Sequence, residues 1–127
     1  EKINLQIEKL RNYFWMKIQK EIKDVFLNGS LENRLPNNLN IFFKSVEAEA
    51  LMLYLDSYGI LCSTGSACST ESNLPSHVLK AIGYSDERAN SSIRFSLGKD
   101  TTKYDIDYVL KYLPKLVEEF RKINSIL

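Results

Sequence analysis

Hydrophobic residues recur at two different periods along this chain, and the change of period sets what it can fold into. Ile3, Ile7, Leu10, Phe14, Ile18 and Ile22 fall every three or four positions. That spacing lines up one face of a helix with 3.6 residues per turn and predicts a helix from about residue 2 to residue 23. Leu39, Ile41 and Phe43 instead alternate with Asn40, Phe42 and Lys44, and Ile93, Phe95 and Leu97 alternate with Ser92, Arg94 and Ser96. Period two is the signature of a strand with one buried face. Together these patterns predict an α+β fold: a small, largely antiparallel sheet of three to four strands with helices packed on one face.

The weaker signals fill in the rest. Residues 24–27 read as a short strand, Asn28-Gly29 as a turn, and residues 30–38, polar and containing Pro36, as a loop. Ser45 reads as the N-cap of a helix reaching about Tyr58, with Gly59 just past its end. Residues 60–62 read as a short extended piece, 76–82 as a short helix ended by Gly83, and 85–90 as a turn of helix. Thr102 and Asp105 have the spacing of a capping box. They open a last helix carrying Ile106, Val109, Leu110, Leu113, Leu116, Val117 and Phe120, which Pro114 should kink or break. The stripe of the first helix is long for so small a sheet, and Phe42 lies on the second face of its strand. Both are expected to meet cover beyond the sheet's own helices.

Composition narrows the function classes. A chain of 127 residues is one domain's worth, and 44% hydrophobic with 26% charged residues is a globular composition. Seventeen basic against sixteen acidic residues leave a formal charge of +1, which gives no footprint for nucleic acid or an anionic membrane. The longest apolar run, Ala50 to Leu55, is far below the ~20 residues of a membrane-crossing helix. With no signal peptide in view and only two cysteines, the expected setting is reducing and cytoplasmic. The chain opens on Glu1 rather than Met, as a piece of a longer protein would.

Residues 63–75 differ in kind. They hold four Ser, two Thr and one Gly around Cys68, with no hydrophobic period, and read as a long, mobile surface loop. A thiol there suits a nucleophile or carrier that must reach two places; the bland alternative is an incidental surface cysteine. No Lys, Arg or His lies in the loop to lower its pKa, so activation would come from the substrate or another domain. Cys62 ends the apolar run Ile60-Leu61-Cys62 and reads as a packed residue. Arg94 stands on its strand between two serines, which leaves room for a ligand; its planar fork matches a carboxylate, or it pairs with a neighbouring acid. His77 reads as a solvent-facing residue at the start of a short helix, with a catalytic role as the alternative. Cys62, Cys68 and His77 match no zinc ligand spacing, so no metal site is expected.

Three strings carry a resemblance. Ser63-Thr64-Gly65-Ser66-Ala67-Cys68, then Leu74-Pro75-Ser76-His77-Val78-Leu79, then Ser91-Ser92-Ile93-Arg94-Phe95-Ser96-Leu97-Gly98 resemble the C-terminal part of the cysteine desulfurases. These are pyridoxal-phosphate enzymes of the class V aminotransferase family, and the match is to the group with the long catalytic loop. The resemblance covers essentially the whole chain, residues 1–127 being the small C-terminal domain; Thr64 stands where the family usually has Ser. It implies that Cys68 takes sulfur from L-cysteine as a persulfide, leaving L-alanine, and hands it to an iron–sulfur scaffold or another sulfur acceptor. It implies that Arg94 holds the substrate carboxylate. The residues that hold the cofactor belong to the family's large domain and none of their motifs occurs here, so the chain alone is expected to be inactive. His77 lies in the wrong domain for the family's ring-stacking histidine. The family also implies a homodimer. The alternative is a stand-alone, cofactor-free sulfur carrier or docking module.

Overall fold

The computed structural model describes residues 2–29, 37–59, 63–64 and 85–126. In chain order these form α1 (Lys2–Glu21), β1 (Val25–Leu27), β2 (Asn38–Phe43), α2 (Ala48–Ser57), β3 (Ser63–Thr64), α3 (Asp86–Asn90), β4 (Ser92–Ser96) and α4 (Lys103–Ile126). The four strands make one sheet in the order β1-β2-β4-β3. Every neighbouring pair is antiparallel, and the central pair sets Asn40 opposite Arg94 and Ile41 opposite Ile93.

The sheet's alternation decides which face the helices cover. Leu39, Ile41, Phe43, Ile93, Phe95 and Leu97 are buried on one face, with Phe14 and Ile18 of α1, Leu51 and Leu55 of α2, and Leu113 and Val117 of α4 in the same core. Phe14 meets Phe95 edge to face at 5.1 Å between ring centres, a geometry that adds to the burial itself. Over the described side chains the stripe of α1 is covered within the chain: Ile7, Phe14, Ile18 and Ile22 are buried and Leu10 is half-buried, which corrects the expectation of outside cover for that part of the helix. α1 and α4 are also joined at their rim. Tyr13 Oη donates to Asp107 Oδ1 at 2.7 Å, and Lys103 lies over the Tyr13 ring. The accepted hydrogen bond holds the Asp107 carboxyl below its usual range, and donating to that carboxylate pushes the Tyr13 phenol up.

Several local expectations are met and several are corrected. The capping box forms: Thr102 N donates to Asp105 Oδ2 at 2.9 Å and Asp105 N to Thr102 Oγ1 at 3.2 Å. α2 ends as expected, with Gly59 at φ 81 and its N–H on the Asp56 carbonyl. Ser45, however, is not its N-cap. Ser45 takes a left-handed conformation at φ 66, and the helix opens after Glu47 without a side-chain cap. Asp24, also left-handed at φ 52, makes the matching turn before β1. The far end of α4 braces both turns. Arg121 donates to the carbonyls of Lys44 and Asp24 at 2.9 Å each, and Asn124 donates to the carbonyl of Ser45 at 2.6 Å. Pro114 does not break α4. Leu110, Leu113, Leu116 and Val117 on either side of it are buried, and their packing outweighs the ~3 kcal/mol that an internal proline costs. Ser63 and Thr64, expected in a loop, pair instead with Arg94 and Ile93 as an edge strand, and Asn38, also expected in a loop, begins β2.

Candidate functional site

The same alternation that buries one face of the sheet sends the other set of side chains to the opposite face. There Phe42 and Asn40 of β2 stand opposite Ser92 and Arg94 of β4, with Asn38 opposite Ser96. Phe26 of β1 stands opposite Phe42. This second face has two ends of different character.

At the Phe42 end the face is closed by the chain itself. The Phe42 ring stacks on Phe26 at 5.9 Å, and the Arg88 guanidinium lies over it at 5.3 Å. Phe42 is therefore only 8% exposed, and its cover comes from this chain, not from a partner. Arg88 reaches this place because Ser85 starts α3 there: the Ser85 hydroxyl oxygen accepts from the Arg88 N–H at 3.1 Å, an N-cap bond. Arg88 Nε then donates to Asn28 Oδ1 at 2.7 Å and Nη2 to the Leu27 carbonyl at 3.1 Å. Asn28, 2% exposed, passes the network on. Its Nδ2 donates to Asn40 Oδ1 at 2.9 Å and to Ser92 Oγ at 2.8 Å, while the Ser92 hydroxyl donates to the Arg88 carbonyl at 2.6 Å. The Asn28 backbone N–H bonds the Asn40 carbonyl at 2.9 Å, and Gly29 follows at φ 79, where the chain turns off the sheet. Among the described residues no buried side-chain nitrogen or oxygen lacks a partner.

At the other end the face is open. The Arg94 side chain is exposed, and among the described residues no carboxylate pairs with it. Its two strand neighbours are Asn40 of β2 on one side and Ser63 of β3 on the other. Ser96 Oγ donates to Asn38 Oδ1 at 3.2 Å beyond it. An exposed guanidinium among small polar residues suits a planar anion such as a carboxylate.

Of the residues singled out from sequence, Arg94 stands on this open end. Cys62, Cys68 and His77 lie outside the described residues. The structure does bring the strand that leads toward Cys68 to the flank of Arg94, because Ser63 is the register partner of Arg94. Sequence reasoning missed Asn28, Asn40, Arg88 and Ser92. Asn28 reads as a turn residue and Arg88 as part of an isolated helical turn, and nothing local joins two residues sixty positions apart. Among the described residues no group of three His, Cys, Asp or Glu could hold a metal ion, and no helix is long and apolar enough to cross a membrane.

The profile of the aminotransferase class-V family matches residues 1–109. The chain is 50% identical over 119 residues to the cysteine desulfurase IscS of Dictyoglomus turgidum, covering 94% of this chain and 30% of that protein. It is 45% identical over 125 residues to the cysteine desulfurase IscS of Clostridium botulinum strain Hall, covering 97% of this chain and 32% of that protein. The solved structure of a NifS-like protein from Rickettsia africae superposes with a TM-score of 0.75 at 29% identity, over 91% of this chain and 29% of that one. The chain thus spans about a third of the length of the relatives it matches, and the α+β layer described above is the fold of the matching part.

Proposed function

The chain belongs to the aminotransferase class-V family, and from that premise we propose that it is the small C-terminal domain of a cysteine desulfurase. The observation that carries the reading is the pairing of Ser63 with Arg94. It joins the one open guanidinium on the described sheet face to the strand from which the Cys68 segment departs. Three residues separate Thr64 from Cys68, so covalent geometry alone keeps the Cys68 Cα within roughly 14 Å of that strand. A substrate held by its carboxylate at Arg94 is within that reach. The similarity to cysteine desulfurases over more than nine-tenths of the chain supports the same reading.

In this reading the substrate is L-cysteine. Arg94 binds and orients its carboxylate through two parallel N–H···O bonds. The Cys68 thiolate then attacks the substrate sulfur. The bond between that sulfur and the substrate β-carbon breaks, and a sulfur–sulfur bond to Cys68 forms. The β-carbon gains the electron pair and a proton and leaves as the methyl group of L-alanine, so the two sulfurs are oxidised and the carbon is reduced. Pyridoxal phosphate, when bound, supplies the electron sink that makes the substrate sulfur electrophilic. The described residues do not hold it: the sheet positions on the Arg94 face are Asn, Ser and Phe, with no lysine to take the aldehyde. Its ligands belong to the remaining two thirds of the enzyme, and these 127 residues by themselves turn over no cysteine. The reading brings with it a homodimer, a cytoplasmic location, and an iron–sulfur scaffold or other sulfur acceptor as partner.

Mass spectrometry of the complete enzyme after brief exposure to cysteine tests it. The extra sulfur atom is expected on Cys68, with none on Cys62, and Cys68→Ser should abolish alanine formation. Arg94→Lys keeps the charge but loses the fork, and should lower kcat/KM by about 2 kcal/mol or more in transition-state terms. Sulfur on Cys62, or full turnover in Arg94→Lys, would overturn the assignment.

A further inference from the structure

The hydrogen-bond network beside Arg94 has a direction, and the direction ends at the candidate carboxylate site. A guanidinium only donates, so Arg88 Nε at 2.7 Å requires the oxygen of the Asn28 amide to face it. The opposite side of Asn28 is fixed independently. The Ser92 hydroxyl has one proton, committed to the Arg88 carbonyl at 2.6 Å, so at 2.8 Å from Asn28 it only accepts. Both constraints turn the Asn28 amine group inward, where its second N–H reaches Asn40 Oδ1 at 2.9 Å. Asn40 must therefore present its oxygen to Asn28 and its amine group away from it. Among the described residues that amine group meets no acceptor. It stands on the open end of the face, on the residue directly across the strands from Arg94.

The geometry points to Asn40 as a second hydrogen-bond donor for the substrate carboxylate, beside Arg94, with Asn28 and Arg88 as positioning residues that hold its amide in the donating orientation. The inference rests on the reading of Arg94 as a carboxylate ligand and adds a donor that only the network's polarity reveals. A carboxylate has lone pairs on two oxygens, more than one guanidinium fork occupies, so a neighbouring N–H finds an acceptor there. An amide turned the other way would aim its oxygen at the anion and repel it. That is why the orientation must be held from behind by a group that cannot flip.

The test measures binding by calorimetry in the complete, cofactor-loaded enzyme. The ligands are L-alanine and ethylamine, which is alanine without its carboxylate. Asn40→Ser keeps an oxygen for Asn28 to donate to but loses the amine group; Asn40→Asp also adds a like charge. L-Alanine should weaken about fivefold or more in Asn40→Ser and more than tenfold in Asn40→Asp, with ethylamine unchanged in both. The inference is overturned if Asn40→Ser binds L-alanine within twofold of the unmodified enzyme, or loses both ligands alike, while Arg94→Ala loses L-alanine alone; the role of Arg94 then stands by itself. If Arg94→Ala also leaves L-alanine binding intact, the carboxylate site is elsewhere and both assignments fall. Should Asn40→Asp not fold, Asn40→Ser decides.

Discussion

The two faces of this sheet are built from the same two strands yet follow different rules. The helix-covered face is a set of interlocking hydrocarbons: Leu39, Ile41 and Phe43 against Ile93, Phe95 and Leu97, all buried. What matters there is volume. Many apolar residues of similar size would serve, and no single atom has a direction. The other face, beyond the stacked Phe26 and Phe42, is built from Asn, Ser and Arg, and there direction is everything: each bond from Arg88 through Asn28 to Asn40 has one donor and one acceptor, and none can be reversed alone. One face therefore carries stability, and the other carries orientation at modest cost to stability. The open end can hold an exposed Arg94 because its fold comes from the far side of the sheet.

This division can be broken at several points. The largest loss is expected at Phe14, 1% exposed and in edge contact with Phe95. Phe14→Ala should cost about 3–5 kcal/mol in urea unfolding, because it leaves a cavity between α1 and the sheet. A loss under 1 kcal/mol would mean that α1 is not part of the core. Arg88→Ala should cost less, about 1–3 kcal/mol, since it uncovers Phe42 and leaves a nearly buried Asn28 oxygen without its donor. In the complete enzyme the same change should also weaken L-alanine binding; a stability loss with no binding loss would reduce the network to a structural brace. The smallest effect is expected from Tyr13→Phe at the rim. Asp107 is depressed in the fold by the Tyr13 hydroxyl, so its contribution exists above the ordinary carboxylate pKa and disappears as pH falls through the lowered value. Tyr13 is raised, so its contribution is present below the ordinary phenol pKa and disappears as pH rises through the higher value. Melting curves should show a small deficit for Tyr13→Phe across the neutral range that closes in acid and again in strong base. A deficit constant with pH would show that packing of the ring, not the hydrogen bond, sets it.

How far the residues alone reveal this arrangement depends on the range of the interaction. α1, β2 and β4 are legible because their periodicity lies within each segment, and the capping box because its partners are three residues apart. Arg94 is legible as a ligand candidate because its serine neighbours are adjacent in sequence. β3 is not: two residues, Ser63 and Thr64, have no alternation to show, and they become a strand only because β4 offers them a free edge. The continuity of α4 through Pro114 is likewise decided by packing from other elements. The Asn28–Arg88 bond joins positions sixty apart and leaves no local trace in either neighbourhood. Cys68 stands out by composition alone as a candidate, a thiol set among small polar residues.

The pairing of Thr64 with Ile93 also has a consequence for how such a domain can change over time. It closes the chain on itself across residues 65–92, and the entropy of closing a loop grows only with the logarithm of its length. Doubling that connection would cost about 0.6 kcal/mol, little beside the stability of an ordinary domain. Lengthening the stretch between Thr64 and Ser85 is therefore nearly neutral to folding, whereas α3 must keep its place because Arg88 covers Phe42 and holds Asn28. On the proposed reading, the reach of the Cys68 thiol would then change with chain length while the strand that carries Arg94 stays where the core has put it.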